Sequence, residues 1–109
     1  MSVRILSVVG LLAMLLLTSA PLRAEGDPEA GAQKNAMCQG CHGIEGFRVA
    51  YPSVYQVPML GGQSAAYITA ALKAYKAGDR NNATMKAIAS GLSDQDMDDL
   101  AAYYSGGGK

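Results

Sequence analysis

A Cys-x-x-Cys-His run, Cys38-Gln39-Gly40-Cys41-His42, constrains this chain more than any other feature of it. The spacing is that of a c-type haem attachment site. Two sulfurs a few residues apart can meet two vinyl groups on one edge of a macrocycle and form thioethers. The histidine follows at once, so the same turn delivers its imidazole beneath the iron as the proximal ligand. On this reading the rest of the chain is a cradle for one flat, largely apolar cofactor.

The motif alone leaves three other readings open. A thioredoxin-like redox pair calls for a surrounding βαβ pattern, and no strand-rich alternation follows. A structural zinc site needs four ligands, whereas the chain has two cysteines and one histidine, and a carboxylate would have to complete the set. A simple disulfide between Cys38 and Cys41 would close a two-residue loop and constrain little of the unfolded chain.

The N-terminus supplies context. Met1 to Arg4 is a short basic start, and Ile5 to Leu17 is an apolar run interrupted only by Ser7 and Gly10. A more polar tail follows through Ala24. This is the pattern of a secretory signal peptide, with cleavage expected after Ala24. Pro21 disfavours a cut after Ala20. Thirteen apolar residues are short for an uncleaved anchor, since a membrane span needs about twenty. The expected organisation is therefore a signal peptide over 1–24 and one domain over 25–109. Export fits the compartment in which haem c is attached, outside the bacterial cytoplasmic membrane, so the periplasm is the expected location.

A domain of that size has a marginal core and ordinarily needs a metal, disulfides or a cofactor to hold it together. There is no tryptophan and one phenylalanine, Phe47. A covalent haem would supply the missing apolar bulk. The full chain has nine basic and nine acidic residues. Losing Arg4 and Arg23 leaves seven basic, so the domain is slightly acidic. Nucleic-acid binding, which wants a basic stripe, is not indicated.

Helix signals fill most of the remaining sequence. Asp27 can cap a first helix, Pro28 suits its first position, and Glu29 faces the positive end of the dipole. The helix is predicted to run to Cys38, with Gly31 marking close approach by another helix. Ser64 opens a second helix, in which Tyr67, Ile68, Ala71, Leu72 and Tyr75 share a face and Gly78 ends the run. Asn81 or Asn82 can cap a third, through Met85, Ile88 and Ala89. Ser93 and Asp96 form a capping box for the last, stapled by Leu92 and Met97. There Met97, Leu100, Ala101 and Tyr104 make one apolar face. Asp94, Asp96, Asp98 and Asp99 are expected on a solvated face rather than around a metal. Between Gly43 and Gln63 no periodicity is evident. A loop so long in a small domain is usually functional, and Phe47, Val49, Tyr51, Val54, Tyr55, Val57 and Leu60 could cover a haem. A short hairpin is the alternative.

Taken in order, Cys38-Gln39-Gly40-Cys41-His42-Gly43, Pro58-Met59-Leu60-Gly61-Gly62-Gln63, Ala71 to Arg80 leading to Met85, and Leu92-Ser93-Asp94-Gln95-Asp96 leading to Tyr104 resemble the class I c-type cytochromes of the small bacterial mono-haem kind. They are also similar to one half of the two-domain di-haem cytochromes. The resemblance implies an all-α fold, three to five helices around one covalently bound haem c, with the first and last helices crossing. It implies Met85 as the distal iron ligand opposite His42, with Met59 as a weaker rival. It implies the Pro58 carbonyl as acceptor for the proximal imidazole N–H.

A His/Met pair fills both axial positions, so a small-molecule substrate has no open place on the iron. The function implied is single-electron transfer between redox partner proteins, without catalysis. Lys73, Lys76, Arg80 and Lys86 could rim the crevice and steer an acidic partner, or form an ordinary solvated helix face. Two alternatives remain at this point. One is a thiol–disulfide oxidoreductase using Cys38 and Cys41. The other is a haem sensor or an electron-transfer subunit of a larger redox complex.

Overall fold

Four helices start on a side chain that accepts a backbone N–H, each at a position legible as a cap. The structure, a computed structural model, describes residues 26–51 and 53–109. The expected signal peptide and its cleavage after Ala24 lie outside the described residues. Among the described residues, no helix is long and apolar enough to cross a membrane.

Helix α1 (Pro28–Lys34) begins at Asp27, whose carboxylate accepts from the Glu29 amide at 2.9 Å. It stops at Asn35, and a separate helix α2 (Ala36–His42) carries the whole Cys-x-x-Cys-His run. One helix ending at Cys38 was expected; the structure has two, the second reaching His42. Asn35 explains the break. It has ψ −3°, and its carbonyl accepts from both Cys38 and Gln39 amides at 2.9 Å. It therefore ends one helix and nucleates the next, in a residue type that favours helix ends over interiors.

The segment without periodicity contains the hairpin alternative in small form. Strands β1 (Arg48–Val49) and β2 (Tyr55–Gln56) pair antiparallel, Arg48 with Gln56 and Val49 with Tyr55. The Val57 amide extends the pairing by donating to the Phe47 carbonyl at 2.9 Å.

Helix α3 (Ala65–Ala77) is capped by the Ser64 hydroxyl and ends on Gly78, whose φ of +85° suits glycine. Helix α4 (Ala83–Ser90) is capped by Asn82. Helix α5 (Asp94–Ser105) opens on the complete capping box of Ser93 and Asp96. Helix α5 is the hub, with α1 packed on one side and α3 on another, while α4 packs on α3. The core cluster is Ile68, Leu72, Leu92, Met97, Leu100, Ala101 and Tyr104. Burying a side chain such as Met97 or Leu100 contributes about 1.5–3 kcal/mol.

Gly31 is required where α1 meets α5, because a Cβ there would collide with the Asp99 carbonyl. A charged cluster seals the same contact. The Lys34 ammonium lies 2.8 Å from Asp96 and 2.6 Å from Asp99. Asp99 also accepts from the Asp27 amide and from the Gln95 side chain, both at 2.8 Å. The expected solvated aspartate face is thus corrected: Asp99 is 3% exposed. The reason is geometric. Asp99 lies on the side of α5 covered by α1, where an amide and an ammonium replace water. The Lys34 ammonium and then the Asp27 amide hold its carboxyl down at about 2. Lys34, followed by the Ser93 amide and hydroxyl, does the same for Asp96.

Candidate functional site

Helix α2, the β2–α3 segment and one face each of α3, α4 and α5 enclose a cavity of about 500 Å³. That lies within the ordinary range of small-molecule and cofactor sites, about 300–1,000 Å³. Its wall includes all five residues singled out from the sequence: Cys38, Cys41, His42, Pro58 and Met85.

Helix α2 places the two thiols and the imidazole on this wall. Both cysteines are free thiols, and both are partly buried. Burial pushes the Cys38 thiol up. A thiol-exchange nucleophile is usually shifted the other way. The His42 Nδ1 lies 2.6 Å from the Pro58 carbonyl oxygen. A carbonyl can only accept, so Nδ1 carries a proton and donates, and in the neutral ring Nε2 is left with the lone pair. This is the arrangement by which a backbone carbonyl orients a metal-binding imidazole and raises its basicity.

Three methionines line the cavity, Met37, Met59 and Met85. Met37 and Met59 are exposed, at 60% and 46%. Met85 is partly buried, packs against the core cluster, and has its amide bonded to the Asn82 side chain at 3.0 Å. Met97 is fully buried in the core and is not on the wall, as its helical face requires. Of the loop residues expected to cover a cofactor, Val49, Tyr55, Val57 and Leu60 line the cavity and Phe47 does not. Tyr51 and Val54 are solvent-exposed, at 87% and 69%, because they occupy the tip between the paired strands. Gln63 and Asn82 also reach the wall.

Sequence reasoning missed Tyr104 as a wall residue. Tyr104 was placed on the core face of α5, and it is buried. Its side chain nevertheless lines the cavity, and its buried hydroxyl finds no hydrogen-bond partner among the described residues. Arg80, one of the four cations that could rim the crevice, is the single Lys, Arg, Asp or Glu on the wall among the described residues. No periodicity marks it, because it sits in the turn after α3. Of the other three cations that could have formed such a rim, two are directed elsewhere. Lys76 donates to the Leu92 carbonyl at 2.5 Å, and Lys73 faces a separate groove beside Asp98.

The donor set and the wall fit a haem. Apolar side chains dominate, two thiols stand at one end, a ring nitrogen lone pair is free, and a thioether lies on α4. The family described as Cytochrome c matches residues 29–105. The chain belongs to the cytochrome c family. As a member it is a haem c electron-transfer protein with the class I fold. Cytochrome c-554(548) from Halomonas halodenitrificans is 47% identical over 83 residues, covering 73% of this chain and 95% of that protein. Cytochrome c4 from Pseudomonas aeruginosa is 39% identical over 98 residues, covering 87% of this chain and 47% of that protein. The crystal structure of reduced recombinant cytochrome c4 from Pseudomonas stutzeri matches with a TM-score of 0.60 at 37% identity, covering 75% of this chain and 46% of that one. The chain thus spans nearly all of the first relative and about half the length of the cytochrome c4 proteins.

Proposed function

We propose that this cytochrome c family member is a mono-haem carrier of single electrons between redox partner proteins in the periplasm, exported by residues 1–24 and cleaved after Ala24. Bound in the cavity, haem c supplies a one-electron iron couple. Cys38 and Cys41 would hold it covalently through their sulfurs, and His42 Nε2 and the Met85 sulfur would ligate its iron. The Pro58 carbonyl holds the imidazole in the tautomer that ligation needs. With His42 and Met85 both ligating, the iron would keep no place for a substrate, and a methionine ligand would raise the potential. The apolar wall excludes water and limits reorganisation when charge changes.

The observation that carries this reading is the 2.6 Å bond from His42 Nδ1 to Pro58, made by a motif histidine that shares one cavity with both cysteines and Met85. Met85 is favoured over Met59 because it is anchored in a capped helix and packed on the core, whereas Met59 is exposed in a loop. Visible spectra and carbon monoxide binding test the assignment. The Met85→Ala holoprotein should lose the methionine-ligated spectrum, bind carbon monoxide when reduced, and drop in potential. Met59→Ala should change none of these. The opposite pattern would transfer the ligand role to Met59.

A further inference from the structure

The residues after α5 begin by closing that helix in the ordinary way. Gly107 donates to the Tyr104 carbonyl and Gly108 to the Tyr103 carbonyl, both at 3.1 Å. These are the paired bonds of a common glycine helix end. A helix end needs nothing more, yet further contacts reach beyond α5. The backbone oxygen of Lys109 accepts from the Tyr103 hydroxyl at 3.1 Å. Over a longer 3.4 Å it also accepts from the side-chain amide of Asn35, which is buried. The Gly62 amide donates at 2.9 Å to the Tyr104 carbonyl, the same oxygen that Gly107 reaches. Gly61 lies so near the Gly108 carbonyl that a Cβ there would stand 2.8 Å from it.

Both places reached bear on His42. Asn35 starts α2, its carbonyl accepting from the Cys38 and Gln39 amides, and α2 carries the imidazole. Gly61 and Gly62 belong to the turn after Pro58, which the Gln63 amide closes on the Leu60 carbonyl at 3.1 Å. Pro58 supplies the oxygen 2.6 Å from His42 Nδ1. Donor and acceptor of that bond thus come from separate segments, 16 residues apart, and residues 107–109 touch both segments. Gly108 also crosses the Tyr103 ring so closely that a Cβ on it would run into the ring. A tail resting on the surface by chance would need neither that clearance nor a buried asparagine.

We propose that residues 107–109 are a strap that positions the His42–Pro58 pair, by holding the start of α2 and the turn after Pro58 together against the end of α5. The inference rests on His42 ligating iron as proposed above. Its consequence is electronic. A close Pro58 carbonyl makes the imidazole a more basic ligand, and a more basic ligand favours oxidised iron. Releasing the strap should therefore raise the reduction potential.

The test uses reduced holoprotein labelled with ¹⁵N, as wild type, Gly108→Ala and Tyr103→Phe. Gly108→Ala drives a methyl group into the Tyr103 ring and lifts the strap. Tyr103→Phe keeps the ring and removes only the donor to Lys109, so it is the variant to read if Gly108→Ala fails to mature. Hydrogen exchange is followed by NMR at the His42 Nδ1–H and at the Gly62 amide. Both should exchange faster in the variants, on the order of two- to tenfold, as for a lost hydrogen bond, and the potential should rise. A segment that only finished α5 would lower the unfolding midpoint and leave the His42 proton and the potential at wild-type values. That result would overturn the proposal. Faster exchange at Gly62 alone would overturn it too, because the turn would then be held without effect on His42. The nitrogen shifts of wild-type His42 test ligation separately. An Nε2 not bound to iron would overturn the reading of His42 as ligand, whereas Gly62 exchange would still report whether the strap holds the turn.

Discussion

Asp99 is the residue whose setting differs most from what its neighbours in sequence suggest. It sits among four aspartates at the start of α5, yet it alone of them is buried. Its partners, Asp27 and Lys34, are 72 and 65 residues away, so no local pattern could announce them. The sign of its pH dependence follows from the pairing. The folded carboxyls of Asp99 and Asp96 titrate at about 2, below the ordinary aspartate value of about 3.9. They favour the folded state fully above that ordinary value, and the contribution is lost as pH falls from about 4 to about 2. Thermal melts of the holoprotein should show the melting temperature dropping across that window. Asp99→Asn should start lower at neutral pH and drop less. Parallel pH curves for the two proteins would show that Asp99 is not a source of acid sensitivity. By contrast, Cys38, Cys41 and His42 were legible at once, because their chemistry is written in five consecutive residues.

Elements were legible wherever a cap is local. Asp27, Ser64, Asn82 and Ser93 each begin a helix through their own side chain. The division at Asn35 was not legible, since it depends on where α5 and the cavity require the motif to point. The Gly43–Gln63 segment was read only in outline, because its two-residue strands are too short to leave a periodicity. Two predictions belong at this scale. Gly31→Ala would push α1 off α5 and should cost about 1–3 kcal/mol, as overpacking does, measured by denaturant unfolding of the holoprotein. A change below the error of the fit would mean that the contact is loose. Asn82→Ala removes the cap of the helix carrying Met85, at a cost of about 1 kcal/mol. Because the Asn82 side chain bonds the Met85 amide itself, and Met85 is proposed as an iron ligand, the variant should also lose the methionine-ligated spectrum at a lower denaturant concentration than global unfolding. Coincident transitions would show that the cap does not govern the ligand.

The described residues form a small helical shell built on α5, and the cavity that holds the motif residues is lined mainly by apolar side chains. Wall residues come from α2, α3, α4, α5 and the intervening loops, so folding and cofactor capture are linked. The family and the fold were readable because four separated motifs fall in one order. Partner recognition was less readable, since charges close in sequence point in different directions once α3 is formed. Exposed Met37 and Met59 at the cavity edge and the redirected lysines favour a docking face that is more apolar than a rim of four cations would be. Transfer rates to an acidic partner should therefore fall only modestly with rising salt. A steep loss would restore the basic rim.

Intact-mass and peptide mass spectrometry of material exported from haem-competent cells bears on all of this at once. The account predicts a chain beginning at Glu25 that carries the mass of one haem, retained under denaturing conditions and localised to the peptide containing Cys38 and Cys41. An exported chain whose two cysteines are unmodified, with the haem maturation machinery active in the same cells, would contradict it.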